Sequence, residues 1–256
     1  MEYNKKITEW KHKKEIQLYE NPIEYGIPPY SKTSSSKKIN VRTTYDKMDL
    51  RDKISSDKRR KNYYTRKIYY LADLAIHNDL NTFITLTFSD PVTDYSAAQH
   101  EWDLFLKRVK YKVGKNFKYI AVHELQKKRG NVYHFHFLCN LGYFPVKELE
   151  RLWGKGFVYI EHIKQKEKLK QIMYSFKYIT KDILNEHENG KRNTARKIYC
   201  SRNLDKPTIK KRFTTETPED IIFENMEQII DTGFYDMKSY QGMKINSVDF
   251  IKIRKE

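Results

Sequence analysis

Two hydrophobic periods alternate along the middle of this chain. Residues 83–88, FITLTF, alternate apolar and hydroxyl side chains and are β-branched or aromatic throughout, which predicts a strand ended by Ser89-Asp90-Pro91. Residues 96–112 change to a helical period, with Trp102, Phe105, Leu106 and Val109 on one face. FKYIAVHEL at 117–125 and VYHFHFLCN at 132–140 are two strands joined by a turn containing Gly130, hence a hairpin. A short helix follows Pro145 (KELERLW), then a strand at 156–163, a helix from about 167 to 184, and a strand at 197–204. Hairpins mixed with helices predict an α+β fold, an antiparallel sheet with helices packed on one face and the other face free.

The flanks read differently. Residues 1–47 hold prolines at 22, 28 and 29 and the run SKTSSSKK, which predicts a basic flexible arm with a short helix around Ile7–Tyr19. Ile68, Leu71, Leu74 and Ala75 sit at helical spacing behind a basic stretch, so 48–79 is a helical extension, either one basic helix or a helix-turn-helix. The core domain spans 80–205. Residues 206–256 form a small C-terminal α/β extension, with a helix through TPEDIIFENMEQII capped by Thr217 and a strand at VDFIKI.

Charge changes the picture more than composition does. A formal net charge of +17 over 256 residues makes phosphate the expected counter-charge. Basic ribosome-associated proteins and membrane-surface binders share that property, and charge does not separate them. Twenty tyrosines add surfaces on which unpaired bases stack, though tyrosine is more often a packing residue. No apolar run nears the ~18–20 residues that span a bilayer, and no apolar core follows the basic N-terminus. Cys139 and Cys200 have neither metal-ligand nor disulfide-framework spacing, so the expected location is the cytoplasm.

Three segments carry candidate chemistry. In Tyr133-His134-Phe135-His136-Phe137, alternation puts both histidines on one strand face and the aromatics on the other. Imidazoles ~7 Å apart along a strand can converge on one metal ion. By itself such a pair is more often a hydrogen-bonded polar face. Glu124, on the partner strand of the hairpin, adds a carboxylate, and the mixed nitrogen-oxygen set suits Mg2+ or Mn2+. His123 is the competing third ligand and is expected on the opposite face. Farther along, Tyr174, Lys177, Tyr178 and Lys181 recur at i, i+3, i+4 and i+7, one helical stripe in which lysines would lower a phenol's pKa or neutralise a phosphate. The bland alternative is a solvated basic stripe. Thr85 and Thr87 share a strand face, where their hydroxyls either line the site or are ordinary polar strand positions.

Taken in order, FITLTFSD, HFHF (134–137) and YSFKYITKD (174–182) resemble the three motifs of the HUH endonucleases. Within that superfamily the likeness is to rolling-circle replication initiators of microvirus-like single-stranded DNA phages and related Gram-positive mobile elements. It covers about residues 80–205. The resemblance implies an HUH core in which His134, His136 and Glu124 bind Mg2+ or Mn2+. Tyr174 or Tyr178 would attack the scissile phosphate to form a 5′-phosphotyrosine, assisted by Lys177 and Lys181. Both tyrosines fit the two-tyrosine form, and each has a lysine three residues on. Arg202 resembles a basic position that touches DNA, with Thr85 and Thr87 beside it. The implied partners are single-stranded origin DNA, expected as a hairpin, and the bacterial host's helicase and polymerase, since no Gly-rich loop ending in Gly-Lys-Ser/Thr is present.

Other readings stand beside it. A transposase or relaxase uses the same chemistry for another end. A non-catalytic binder would turn the strand's aromatics, not its histidines, toward the open face. A metal-dependent hydrolase with a zinc-bound water would leave the tyrosines as bystanders.

Overall fold

The computed structural model describes residues 2–26, 44–164, 169–170, 172–174, 176, 198–239 and 242–255. The chain divides into two compact units, 42–205 and the paired ends 1–41 with 206–256. The fold is α+β, with one antiparallel sheet in each unit.

In the 42–205 unit, α1 (Leu50–His77) is followed by β3 (Thr82–Thr87), α2 (Tyr95–Val113), the hairpin β4 (Tyr119–Gln126) and β5 (Val132–Cys139), α3 (Val146–Trp153), β6 (Val158–His162) and β7 (Ile198–Cys200). The sheet order is β6-β3-β5-β4-β7. β3 alternates as its sequence demands: Ile84 and Leu86 are fully buried, while Thr85 and Thr87 turn to the other face half-buried. α2 starts where the Asp94 carboxylate accepts the Ala97 N–H at 2.8 Å and stops at Gly114. Its buried stripe is Ala98, Trp102, Phe105, Leu106 and Val109. Trp102 stacks on Phe135 with centroids 4.9 Å apart and meets Phe137 edge-on at 5.4 Å. Trp153, at the end of α3, is fully buried, and its indole N–H donates to the Thr87 carbonyl at 3.0 Å. Gly156 presses on the same strand end, where a Cβ would lie 2.3 Å from the Thr87 carbonyl oxygen.

The face opposite α2 is not bare along its length. Ile120, Val122 and Leu138 lie on it by register and are at most 2% exposed. α1 comes close to this side, since Tyr70 lies near enough to Cys200 to feel its charge. α1 is one continuous helix, not a helix-turn-helix; Ile68, Leu71, Ala72, Leu74 and Ala75 are buried, and nothing before Ile68 in it is. Asn78, just past its end, donates to the Leu74 and Asp205 carbonyls at 2.9 Å each, tying the helix to the chain after β7.

In the other unit, the N-terminal stretch expected as an arm with a helix around Ile7–Tyr19 is instead two strands, β1 (Glu2–Glu9) and β2 (Lys13–Glu24). They join β8 (Thr208–Arg212), β9 (Ile229–Lys238) and β10 (Lys244–Arg254) in the order β8-β1-β2-β10-β9. Ile7, Ile16, Leu18, Ile251 and Ile253 bury one face against Ile221 of the short helix α4 (Pro218–Glu224). The helix read through Ile230 ends at Glu224, because Ile229 and Ile230 are needed as the start of β9. Thr217 caps α4 as expected, in a reciprocal box with Asp220.

Lys5 is only 2% exposed, and its ammonium meets the Glu216 carboxylate at 2.7 Å. Hydrogen bonds from Lys5 and Thr214 hold Glu216 down to about 2. A depressed carboxylate stabilises the fold above its unfolded value, near 4.5, and that stability is lost as pH falls toward about 2. Glu216→Gln should therefore lower stability at neutral pH by about 2 kcal/mol, less than a fully buried pair because Glu216 is partly exposed. It should also flatten the fall in melting temperature between pH 5 and 3 by roughly the same energy; an unchanged acid limb would show that the pair contributes nothing.

Loss of the aromatic centre is the second test of the fold. Trp102→Ala should cost about 3–5 kcal/mol by chemical denaturation, because the vacated volume lies between packed rings.

Candidate metal centre and tyrosine helix

Period-two alternation in β5 sends Tyr133, Phe135 and Phe137 into the α2 core and His134 and His136 to the opposite face. Register then assembles their neighbours. Glu124 lies directly across from His134 on β4, and Thr87 and Thr85 lie across from His134 and His136 on β3. The imidazole centroids are 6.2 Å apart, and both residues are buried, at 4% and 8% exposure.

Each ring has its own environment. His136 Nε2 lies 3.1 Å from Glu124 Oε2, its Nδ1 lies 3.0 Å from the Thr85 hydroxyl, and Phe83 stacks parallel to it at 5.9 Å. His134 Nδ1 lies 3.5 Å from the Thr87 hydroxyl, while its Nε2 is buried and has no hydrogen-bond partner. Burial, then His136 and Arg129, lower the His134 pKa to about 4, so its imidazole is neutral at pH 7. Neutral imidazole is the ligating form.

Among the described residues, no three His, Cys, Asp or Glu side chains already converge as a metal cage. The physical reason is local: the Glu124 carboxylate is engaged with His136 Nε2, the atom a metal would take. The donor set still fits a hard divalent ion, with two imidazoles, one carboxylate 17% exposed, and one buried ring nitrogen lacking any other partner. His123 lies on the α2 side as expected, 5% exposed, with Nδ1 3.2 Å from the Tyr199 hydroxyl. It belongs to the core.

The remaining sequence candidates scatter. Tyr174 is helical and 58% exposed. Lys177, Tyr178 and Lys181 lie outside the described residues. Arg202 lines a cleft on the α2 side of the sheet, away from the histidine face. Thr85 and Thr87 do line the site, but their hydroxyls address the imidazoles. Sequence reasoning missed Phe83 and Arg129. Phe83 was recoverable, because it stands two residues before Thr85 on the same strand face; Arg129 sits in the hairpin turn, where no period applies.

No helix among the described residues is long and apolar enough to cross a membrane. No curated protein and no solved structure matches the chain. Residues 81–183 match the model of a family of replication-associated proteins of the ORF2 type, a span that holds β3, both histidines, Glu124 and Tyr174, and that makes this part of the chain similar to replication-associated proteins.

Proposed function

We propose that this protein initiates rolling-circle replication by nicking and rejoining single-stranded origin DNA through an HUH-type centre. The observation that carries the reading is the buried His134–His136 pair with Glu124 across the ladder, inside the segment similar to replication-associated proteins. The direction of the strand also speaks for it. A passive sheet binder would present Tyr133, Phe135 and Phe137 to its ligand, whereas these rings are spent on the α2 core.

In this reading His134 Nε2, His136 Nε2 and a Glu124 oxygen hold Mg2+ or Mn2+, which when bound withdraws charge from a non-bridging oxygen of the scissile phosphate. The threonines set the rings. A hydroxyl both donates and accepts, so Thr85 serves either tautomer of His136 as Glu124 moves from its proton to the ion. Tyr174 or Tyr178 then attacks phosphorus, its proton lost to solvent or a neighbouring base. The P–O3′ bond breaks, and the 3′-oxygen leaves as a hydroxyl after taking a proton. Lys177 and Lys181 balance the extra negative charge on the phosphorane. The phosphotyrosine conserves the bond energy, so attack by a 3′-hydroxyl rejoins the strand.

The direct test is a denaturing gel of protein incubated with Mn2+ and a single-stranded hairpin from its own replicon. A covalent adduct that vanishes in a Tyr174→Phe, Tyr178→Phe double variant is expected. Cleavage without adduct would assign a hydrolase instead, and binding without cleavage a passive module.

Metal binding is testable without activity. Mn2+ at about 100 times its Kd adds about 2.7 kcal/mol of stability, a rise of roughly 5–10 °C in Tm. Glu124→Gln and His134→Gln should abolish that rise. Thr85→Val should weaken Mn2+ about 10–100-fold through the ring it orients; a wild-type affinity in that variant would confine Thr85 to packing.

A further inference from the structure

Cations on the 42–205 unit fall into two kinds. Lys112, Lys118 and Lys155 each meet a carboxylate: Glu148 at 2.6 Å, Asp205, and Glu101 at 3.0 Å. Lys107, Lys110, Lys115 and Arg202 form no ion pair among the described residues, and all four line one open cleft of about 770 Å3. The cleft lies on the α2 side of the sheet at its β7 edge, with the histidines on the opposite face.

Its lining contains one carboxylate, Asp103, which already accepts from Gln99 at 3.0 Å. Four positive charges against one negative raise the cleft's electrostatic energy unless an anion enters. The walls are held for such a ligand. Asn203 donates to the Lys115 and Phe117 carbonyls at 3.1 and 3.3 Å, and the buried Ser201 hydroxyl accepts the Tyr119 N–H at 3.1 Å. Lys110 stands over the Tyr119 ring, 5.9 Å from its centroid. The floor residues Trp102, Phe117 and Tyr119 are at most 7% exposed, so they offer no free ring face on which a base could stack. Recognition falls to the cations, which read phosphate and not sequence.

We propose that this cleft is a phosphate-backbone site that grips nucleic acid flanking the strand held at the histidines. It rests on the proposed function only in taking the polyanion to be DNA. Because the cleft and the histidines lie on opposite faces of one sheet, the gripped segment is a different stretch from the one cut.

The test is fluorescence anisotropy of a long labelled single strand across a salt series, using the full chain. Lys107→Glu with Lys110→Glu should bind at least about 10-fold more weakly and lower the log–log salt slope by about 1.4, two phosphates at ~0.7 each. Arg202→Gln, a milder change, should lower the slope by about 0.7. Lys147→Glu with Arg151→Glu, exposed on α3, is the charge-matched control and should leave the slope unchanged. Equal losses in both reversed pairs, or an unaltered slope in folded cleft variants, overturns the proposal. So does displacement of the strand by free dATP from the wild type, which would make the cleft a nucleotide pocket. Adduct formation on a short saturating strand is read alongside. Its absence in the wild type with the slope effects intact would remove the nicking reading and leave the cleft standing.

Discussion

Everything at the candidate site hangs on the contact between Trp102 and the aromatic side of β5. Trp102 stacks on Phe135 and meets Phe137 at its edge, and those rings define which face of the strand is core. Since side chains alternate, burying 133, 135 and 137 against α2 obliges 134 and 136 to point the other way. A one-residue slip of β5 would put both imidazoles into an aromatic core and all three aromatics onto the site. The packing energy of the core therefore enforces the orientation of the histidines, and the hairpin register carries that choice across to Glu124 and, through β3, to the two threonines.

Burial on the histidine face works in a second way. Ile120, Val122 and Leu138 are covered beside the site, and the imidazoles are nearly sealed. Desolvation keeps His134 neutral, and a neutral ring with an unpartnered nitrogen is chemically primed to bind a cation. The opposite side of the same sheet follows the reverse logic. There the basic residues at the β7 edge remain in water and lack carboxylate partners, so the charge that makes the whole chain basic is locally available to phosphate. One sheet thus separates a site suited to a metal from a surface suited to an anion.

The second sheet illustrates a different constraint. Lys5 is buried in a strand whose partners come from both ends of the chain, and Glu216 reaches it across 211 residues of sequence separation. β2 pairs with β10 so that Ile16 sits against Ile251, which makes the two termini one hydrophobic unit. A chain end that looks polar and unstructured in isolation becomes a central strand when its partner arrives.

What the sequence determined by itself was local and periodic. The strands at 83–88 and 132–140, the α2 face, the Thr217 cap and the histidine face of β5 all follow from side-chain alternation or capping chemistry, which neighbours in sequence impose on one another. The proximity of Glu124 was legible too, because a short hairpin leaves little freedom of register. Tertiary structure decided the rest. Only long-range pairing could show that residues 2–24 are strands, since their period was too weak to outweigh prolines and charge until β10 supplied the other half of the core. Only packing could cover part of the histidine face. Only the meeting of α2 with the β7 edge could gather lysines 107, 110 and 115 with Arg202, because nothing in their spacing announces a shared cleft.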